Sequence, residues 1–235
     1  MSRKTVAIMQ PYLYPYLGYL GLMAHADEFV VLDCVQFPRR GRVHRSQVPG
    51  PNGTERWLTL PLARAPRSTR ICDLQFGADA HRRWHARLAM HTWMRDAAPS
   101  DLTETLMDAL AIKGPSVRDY LVSQLHVLRD AFGLHCVITR SSDLGIDPAL
   151  RGAERLVAIA RARGAARYVN APGGRSLYAA EQFAPHGLEL GFLPPYPGPY
   201  RHVLPALMRG ERDRMAADLA RYAAQPLVTA GGVHA

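Results

Sequence analysis

Asp33 closes the apolar run Phe29-Val30-Val31-Leu32, where a carboxylate can take a proton from an attacking amine or hydroxyl held ~2.6–3.2 Å away. Its neighbour Cys34 offers a thiol, as a nucleophile or as a small side chain that fills space. His44 lies among Arg40, Arg42 and Arg45, cations that favour neutral imidazole, the form able to act as a base. These arginines can clamp a phosphate or carboxylate through paired N–H bonds, or form a solvated basic loop. Upstream, Gln10-Pro11-Tyr12-Leu13-Tyr14-Pro15-Tyr16-Leu17-Gly18-Tyr19 gathers an amide and a run of phenols. The rings of Tyr12, Tyr14, Tyr16 and Tyr19 can wall a pocket whose hydroxyls orient a polar substrate, or pack with the hydroxyl at a wet edge. Gln36, in the loop that Asp33 begins, and Asn170, at a further strand end, add amides. Gly173-Gly174 precedes an expected helix and can offer backbone N–H groups to an anion, or make an ordinary turn.

Several familiar chemistries lack their residues. No Cys-x-x-Cys pair, Walker lysine, G-x-G-x-x-G or G-x-S-x-G occurs. His81, His85 and His91 share an expected helix, but the last faces away from the first two, so no metal site is expected. No cofactor is expected either.

The elements around these residues alternate. Thr5–Met9 reads as a buried strand, Leu17–Ala26 as a helix and Phe29–Leu32 as a second strand, a βαβ unit with a right-handed crossover. Arg39–Thr54 reads as a long loop or irregular hairpin, and Trp57–Leu62 as a strand. Ala80–Met94 fits a helix with Trp84 and Leu88 inward. Ser116 starts another that runs to Gly133. Strands follow at His135–Thr139, Ala166–Asn170 and Gly187–Leu193, with helices expected at Arg151–Arg163, Arg175–Ala184 and Val203–Ala224. Pro194–Pro199 is a stiff surface crossing. The pattern predicts an α/β fold with a doubly wound, mostly parallel sheet in one domain over residues 1–235. Residues 80–133 form a helical segment packed on it or inserted into it. Parallel strands send every following loop to one edge, so Gln10, Asp33, Ser141-Ser142-Asp143 and Asn170 are expected to converge there.

A chain of 235 residues with 48% hydrophobic side chains can bury a core without disulfides or a metal. Three scattered cysteines and the absence of a long apolar segment indicate a cytoplasmic protein that does not span a membrane. The net charge of +9 comes from arginines spread along the chain rather than gathered on one helix, which argues against nucleic acid as the partner.

Met9-Gln10-Pro11-Tyr12-Leu13-Tyr14-Pro15-Tyr16-Leu17-Gly18-Tyr19 resembles the opening signature of the WbqC-like proteins. The likeness continues through Phe29–Asp33, Val35-Gln36-Phe37, Arg40-Gly41, Trp57–Leu62, Ser141–Leu144, Tyr168–Asn170, Gly173-Gly174, Leu177-Tyr178 and Phe192-Leu193. It implies a transferase for surface glycans such as O-antigen or for specialised metabolites. Such an enzyme joins an acyl or aminoacyl group from an activated donor, carried in some cases by a carrier protein, to an amine. Catalysis would then fall to Asp33, His44 or Cys34. Binding would fall to Gln10, Tyr12, Tyr14, Tyr16, Tyr19, Gln36, Arg40, Arg45, Asn170, Gly173, Gly174 and Tyr178. The sequence departs from the family pattern at Cys34, where a second aspartate is expected, and at His44, where asparagine is. The opening strand–loop–helix also looks like that of adenylyltransferases related to pantothenate synthetase, which implies a Rossmann-like, nucleotidyltransferase-like sheet. Tyr16 and Tyr19 stand where those enzymes carry the histidines of H-x-G-H, which disfavours nucleotidyl transfer. A non-catalytic protein that binds a sugar nucleotide or a partner enzyme is the rival reading.

Overall fold

The computed structural model describes residues 3–229 apart from 51 and 53, so part of the loop expected before Thr54 and both extreme termini lie outside the described residues. Strand β1 (Thr5–Met9) is apolar at successive positions because both its faces are covered. Val6 and Ile8 pack with Leu156, Ile159 and Phe183 on one side, and Ala7 packs with Leu20, Met23 and Phe29 on the other. Helix α1 (Leu17–His25) returns the chain, and β2 (Glu28–Val31) runs parallel to β1 with Val6 opposite Glu28.

The chain then leaves the sheet. β3 (Arg45–Pro49) and β4 (Glu55–Thr59) form an antiparallel hairpin with Gln47 opposite Trp57. The stretch expected as a long loop or irregular hairpin thus holds the first strand of a hairpin. Ser46, Val48 and Leu58 bury one face of the hairpin and fix its register.

The helical middle comprises α2 (Ala80–Ala89), α3 (Thr92–Arg95), α4 (Asp101–Leu110) and α5 (Val117–Ala131). The single helix expected to Met94 breaks at Met90, and His91 is extended at φ −94° and ψ 134°. α4 was not anticipated; Ser100 Oγ caps it by accepting the Thr103 N–H at 3.1 Å. Trp84 points inward as expected, and its Nε1–H donates to the Leu110 carbonyl at 2.8 Å, which ties α2 to α4. Ser116 caps α5 through the Asp119 N–H, and Gly133 follows in the left-handed region.

β5 (Val137–Arg140) pairs parallel with β2. After α6 (Gly152–Ala162), β6 (Arg167–Asn170) pairs with β1, and β7 (Glu189–Phe192) pairs with β6, both parallel. The helix expected over 175–184 is absent. Short 3₁₀ turns at Pro172–Ser176, Ala180–Gln182 and Ala184–His186 replace it. They let Phe183 sit fully buried with its ring stacked on Tyr168, and Pro185 cannot donate to a continuing helix. α7 (Val203–Met208) and α8 (Arg212–Ala223) follow, and α8 packs on α1. β8 (Val228–Thr229) adds an antiparallel edge to β7.

The sheet order is β5-β2-β1-β6-β7-β8, an α/β arrangement with mostly parallel strands. α6 and the 3₁₀ turns cover one face; α1, α5 and α8 lie on the other. From β1 the chain moves outward to β2 and β5, then crosses back and moves outward the other way through β6 and β7. The loops after β1 and β6 therefore part in opposite directions and leave a crevice between them.

Candidate functional site

That crevice is a cleft of about 650 Å³ at the carboxyl ends of β1, β6 and β7. Its first wall is the segment after β1. Pro11 and Pro15 keep it out of helix, and the Leu13 N–H donates to the Arg42 carbonyl at 3.0 Å. Tyr14 adopts a φ of 39°, in the left-handed region rarely used by bulky residues. The reversal sends the Tyr14 ring into the core, while Tyr12 and Tyr16 remain on the cleft. Ser46 Oγ–H donates to the Tyr14 carbonyl at 3.0 Å and holds the turn against the hairpin. Tyr19 lies behind Tyr12, ring centroids 5.2 Å apart, with its hydroxyl donating to the Gln10 carbonyl at 2.8 Å. Burial pushes the Tyr12 and Tyr16 hydroxyls above the ordinary phenol range against the pull of Arg42, so both are neutral donors near pH 7.

The facing wall comes from the hairpin. Arg42 donates to Gln47 Oε1 at 2.7 Å, and Gln47 Nε2–H donates to Glu55 Oε2 at 2.8 Å. Glu55 Oε1 meets His202 Nε2 at 3.1 Å, and His202 Nδ1 meets the Gln47 carbonyl at 2.9 Å. Both ring nitrogens of His202 thus face oxygen acceptors. A carbonyl can only accept, which fixes a proton on Nδ1 and leaves Nε2 turned to the Glu55 carboxylate. Glu55 is 44% exposed and open to the cleft.

The segment after β7 closes the site with Pro195, Tyr196, Gly198 and Arg201. Tyr196 is anchored from behind by its hydroxyl, which donates to Asp218 Oδ2. Gly18 permits the approach of α1: a Cβ there would lie 2.5 Å from both Tyr16 and Tyr196. The cleft therefore presents cations at Arg42 and Arg201, one carboxylate at Glu55, and neutral phenols opposite.

The expected residues divide around this geometry. Tyr12, Tyr16, Tyr19 and Gly173 line the cleft, with Gln10 beneath Tyr19. Asn170 is buried at the end of β6, where Oδ1 accepts the Ala171 N–H at 2.8 Å, and Gly174 packs against its amide. Because the turn there is 3₁₀ and the Gly174 N–H donates to the Ala171 carbonyl, no long helix presents N–H groups to an anion.

Asp33 is elsewhere. It is fully buried between the ends of β2 and β5, and its Oδ1 accepts from Ser141 Oγ and the Ser142 N–H, both at 2.9 Å. Its Oδ2 accepts from Ser142 Oγ at 2.7 Å. Ser141 Oγ in turn accepts the N–H groups of Asp33 and Cys34, at 3.1 and 3.3 Å. These contacts form a latch between two strand ends, away from the cleft lining. Gln36 is exposed and donates to the Arg67 carbonyl. Arg45 donates to the Gly41 and Arg40 carbonyls and lies 4.1 Å over the Trp57 ring, so it braces its own loop. Arg40 is exposed beside it. Tyr178 packs edge-on to Phe183 on the sheet face covered by α6. His44 opens onto a different cleft, with Phe37 edge-on at 4.9 Å.

Sequence reasoning passed over Gln47, Glu55, Tyr196, Arg201 and His202. The parallel-strand rule did contain a signal for Tyr196, Arg201 and His202, because the loop after β7 must emerge on the same edge as those after β1 and β6.

The chain belongs to the WbqC-like protein family, whose model matches residues 10–205. It is also similar to the uncharacterized protein Rv1507c of Mycobacterium tuberculosis (strain ATCC 25618 / H37Rv), 36% identical over 59 residues. That stretch covers 25% of each chain, so this chain spans about a quarter of that relative's length. No solved structure matches it. No helix among the described residues is long and apolar enough to cross a membrane.

Proposed function

We propose that this protein is a cytoplasmic biosynthetic transferase that joins an acyl or aminoacyl group to the amine of a sugar or specialised metabolite. The observation that carries the reading is the pairing of charges in the switch-point cleft. Arg42 and Arg201 suit the anionic part of an activated donor, and Glu55 suits an ammonium acceptor. A donor held on a carrier protein would fit the same chemistry.

In this reading Glu55 takes the role first considered for Asp33, because Asp33 spends its oxygens on Ser141 and Ser142. Glu55 accepts the proton lost by the attacking amine, and His202 shares it. The amine nitrogen bonds to the acyl carbon, the C–O or C–S bond to the leaving group breaks, and the released alcohol or thiol takes up a proton. Tyr12 and Tyr16 are placed to donate to the carbonyl oxygen as charge develops there.

The parallel strands, renumbered in chain order, run 3-2-1-4-5, the order of a Rossmann-like sheet. This supports the second reading, a binding protein for a sugar nucleotide, in the same cleft. Nucleotidyl transfer gains nothing from Tyr19, whose hydroxyl is spent on Gln10.

The test incubates purified protein with panels of acyl thioesters, aminoacyl esters and amines, and follows the mass of the amine. Glu55→Gln is expected to slow product formation by about 10²–10⁴, while Asp33→Asn retains it. Full activity in Glu55→Gln removes the assigned base. Ligand-induced thermal stabilisation with no product for any pair replaces the transferase with the binding protein.

A further inference from the structure

At the base of the hairpin, where His44 precedes β3 and Thr59 ends β4, lies a second cleft, of about 370 Å³, lined by Arg39, Arg64, Arg83 and Arg87 together with His44 and Thr59. No aspartate or glutamate lines it. None of the four arginines forms an ion pair with a described carboxylate, although many other arginines of the chain do. Arg39 donates to the Ala65 carbonyl and Arg87 to the Thr59 carbonyl, bonds that hold their stems and leave other N–H groups free. Arg83 lies one helical turn from Arg87 on α2, where like charges repel. Burial first, and then Arg83, lowers the pKa of Arg87. A concave surface with such uncompensated charge is stabilised by an anion of matching size.

We propose that this cleft is a separate binding site for the phosphate or diphosphate group of a small metabolite, held by Arg64, Arg83 and Arg87. It is independent of the transferase reading, because none of its lining residues belongs to the switch-point cleft. His44 adds a neutral ring to the lining: burial, and then Arg45, lowers its pKa to about 4. Planar guanidinium groups around a neutral ring suit the several oxygens of a phosphate better than they suit chloride.

The experiment titrates the whole chain with pyrophosphate in a calorimeter, at an ionic strength held constant with sodium chloride. Saturable binding at one site is expected. Arg83→Gln is expected to weaken it about tenfold or more, the size of a lost charge-assisted hydrogen bond. Arg82→Gln removes the same charge from the same helix, but its side chain pairs with Asp79 and lies outside the cleft, so a change under about twofold is expected. Saturation should also raise the His44 titration midpoint in NMR spectra, since a bound anion favours imidazolium. Equal losses in the Arg82 and Arg83 variants would reduce the effect to net charge and overturn the site. So would a lack of saturation, or an unmoved His44. A single-stranded oligonucleotide that outcompetes pyrophosphate, with affinity falling steeply in salt, would make this a polyanion surface instead and refute the small-ligand site.

Discussion

Replacing Asp33 tests whether its carboxylate joins the ends of β2 and β5 or serves a reaction. In Asp33→Ala the Ser142 N–H and two serine hydroxyls lose their acceptor together. Each such bond to a charged acceptor is worth ~1.5–3 kcal/mol, and the three act as a unit, so the loss falls short of their sum. A destabilisation of about 3–4 kcal/mol follows, with a fall in Tm of roughly 6–16 °C for a chain of this size. Asp33→Asn keeps the Oδ1 acceptor for Ser141 Oγ and the Ser142 N–H. Its amide can donate to Ser142 Oγ once that hydroxyl turns away, so about 1 kcal/mol is expected to be lost. Urea unfolding of both variants beside the parent measures these numbers, with an unchanged m-value showing that the same surface unfolds. An alanine variant within about 1 kcal/mol of the parent would refute the latch. Loss of turnover in Asp33→Asn at parental stability would return Asp33 to the chemistry.

Gly174→Ala would place a Cβ 2.3 Å from Asn170 Nδ2, forcing that amide from its bond to the Ala171 N–H; thermal unfolding should show a loss of about 1–3 kcal/mol. Gly173→Ala, with nothing within 4 Å of its Cβ, should be close to neutral, and equal effects would contradict the packing argument. Glu28 is buried between Lys4 Nζ at 2.8 Å and Arg163 Nε at 2.6 Å, with Thr139 Oγ1 donating to it at 2.7 Å. Burial acts to raise its pKa, but these three partners together hold it below the ordinary glutamate value. A lowered folded-state pKa stabilises the fold above the unfolded value of ~4.3 and stops doing so as pH falls through the folded one. Glu28→Gln should therefore cost about 2–3 kcal/mol at pH 7, discounted because both cations are about one-third exposed. The gap should close in urea unfolding below about pH 4; a gap that widens in acid would reverse the assignment.

The doubly covered sheet was legible because Val6–Met9 and Phe29–Val31 are unbroken apolar runs, which a strand with one wet face would not show. Ser116 and Gly133 marked α5 through capping, a property of a few adjacent residues. The candidate cleft was legible only on its tyrosine side. His202 reaches Gln47 across 155 positions, and no local pattern announces a contact made by tertiary packing. Glu55 was hidden in the same way, since its meaning depends on a hairpin register fixed by burial of Val48 and Leu58. Position at a strand end identified Asp33 as special without saying why, because the two serines that occupy it arrive from β5. The missing helix at 175–184 reflects a contest of propensity against one ring: burying Phe183 on Tyr168 outweighed regular hydrogen bonding.

The reversed backbone at Tyr14 has a consequence for any ligand. A bulky residue at φ 39° holds strain of roughly 1–3 kcal/mol, sustained by the buried ring and by the Ser46 hydroxyl on its carbonyl. The aromatic wall is thus preorganised before anything binds, and little ordering entropy is charged against affinity when a guest arrives.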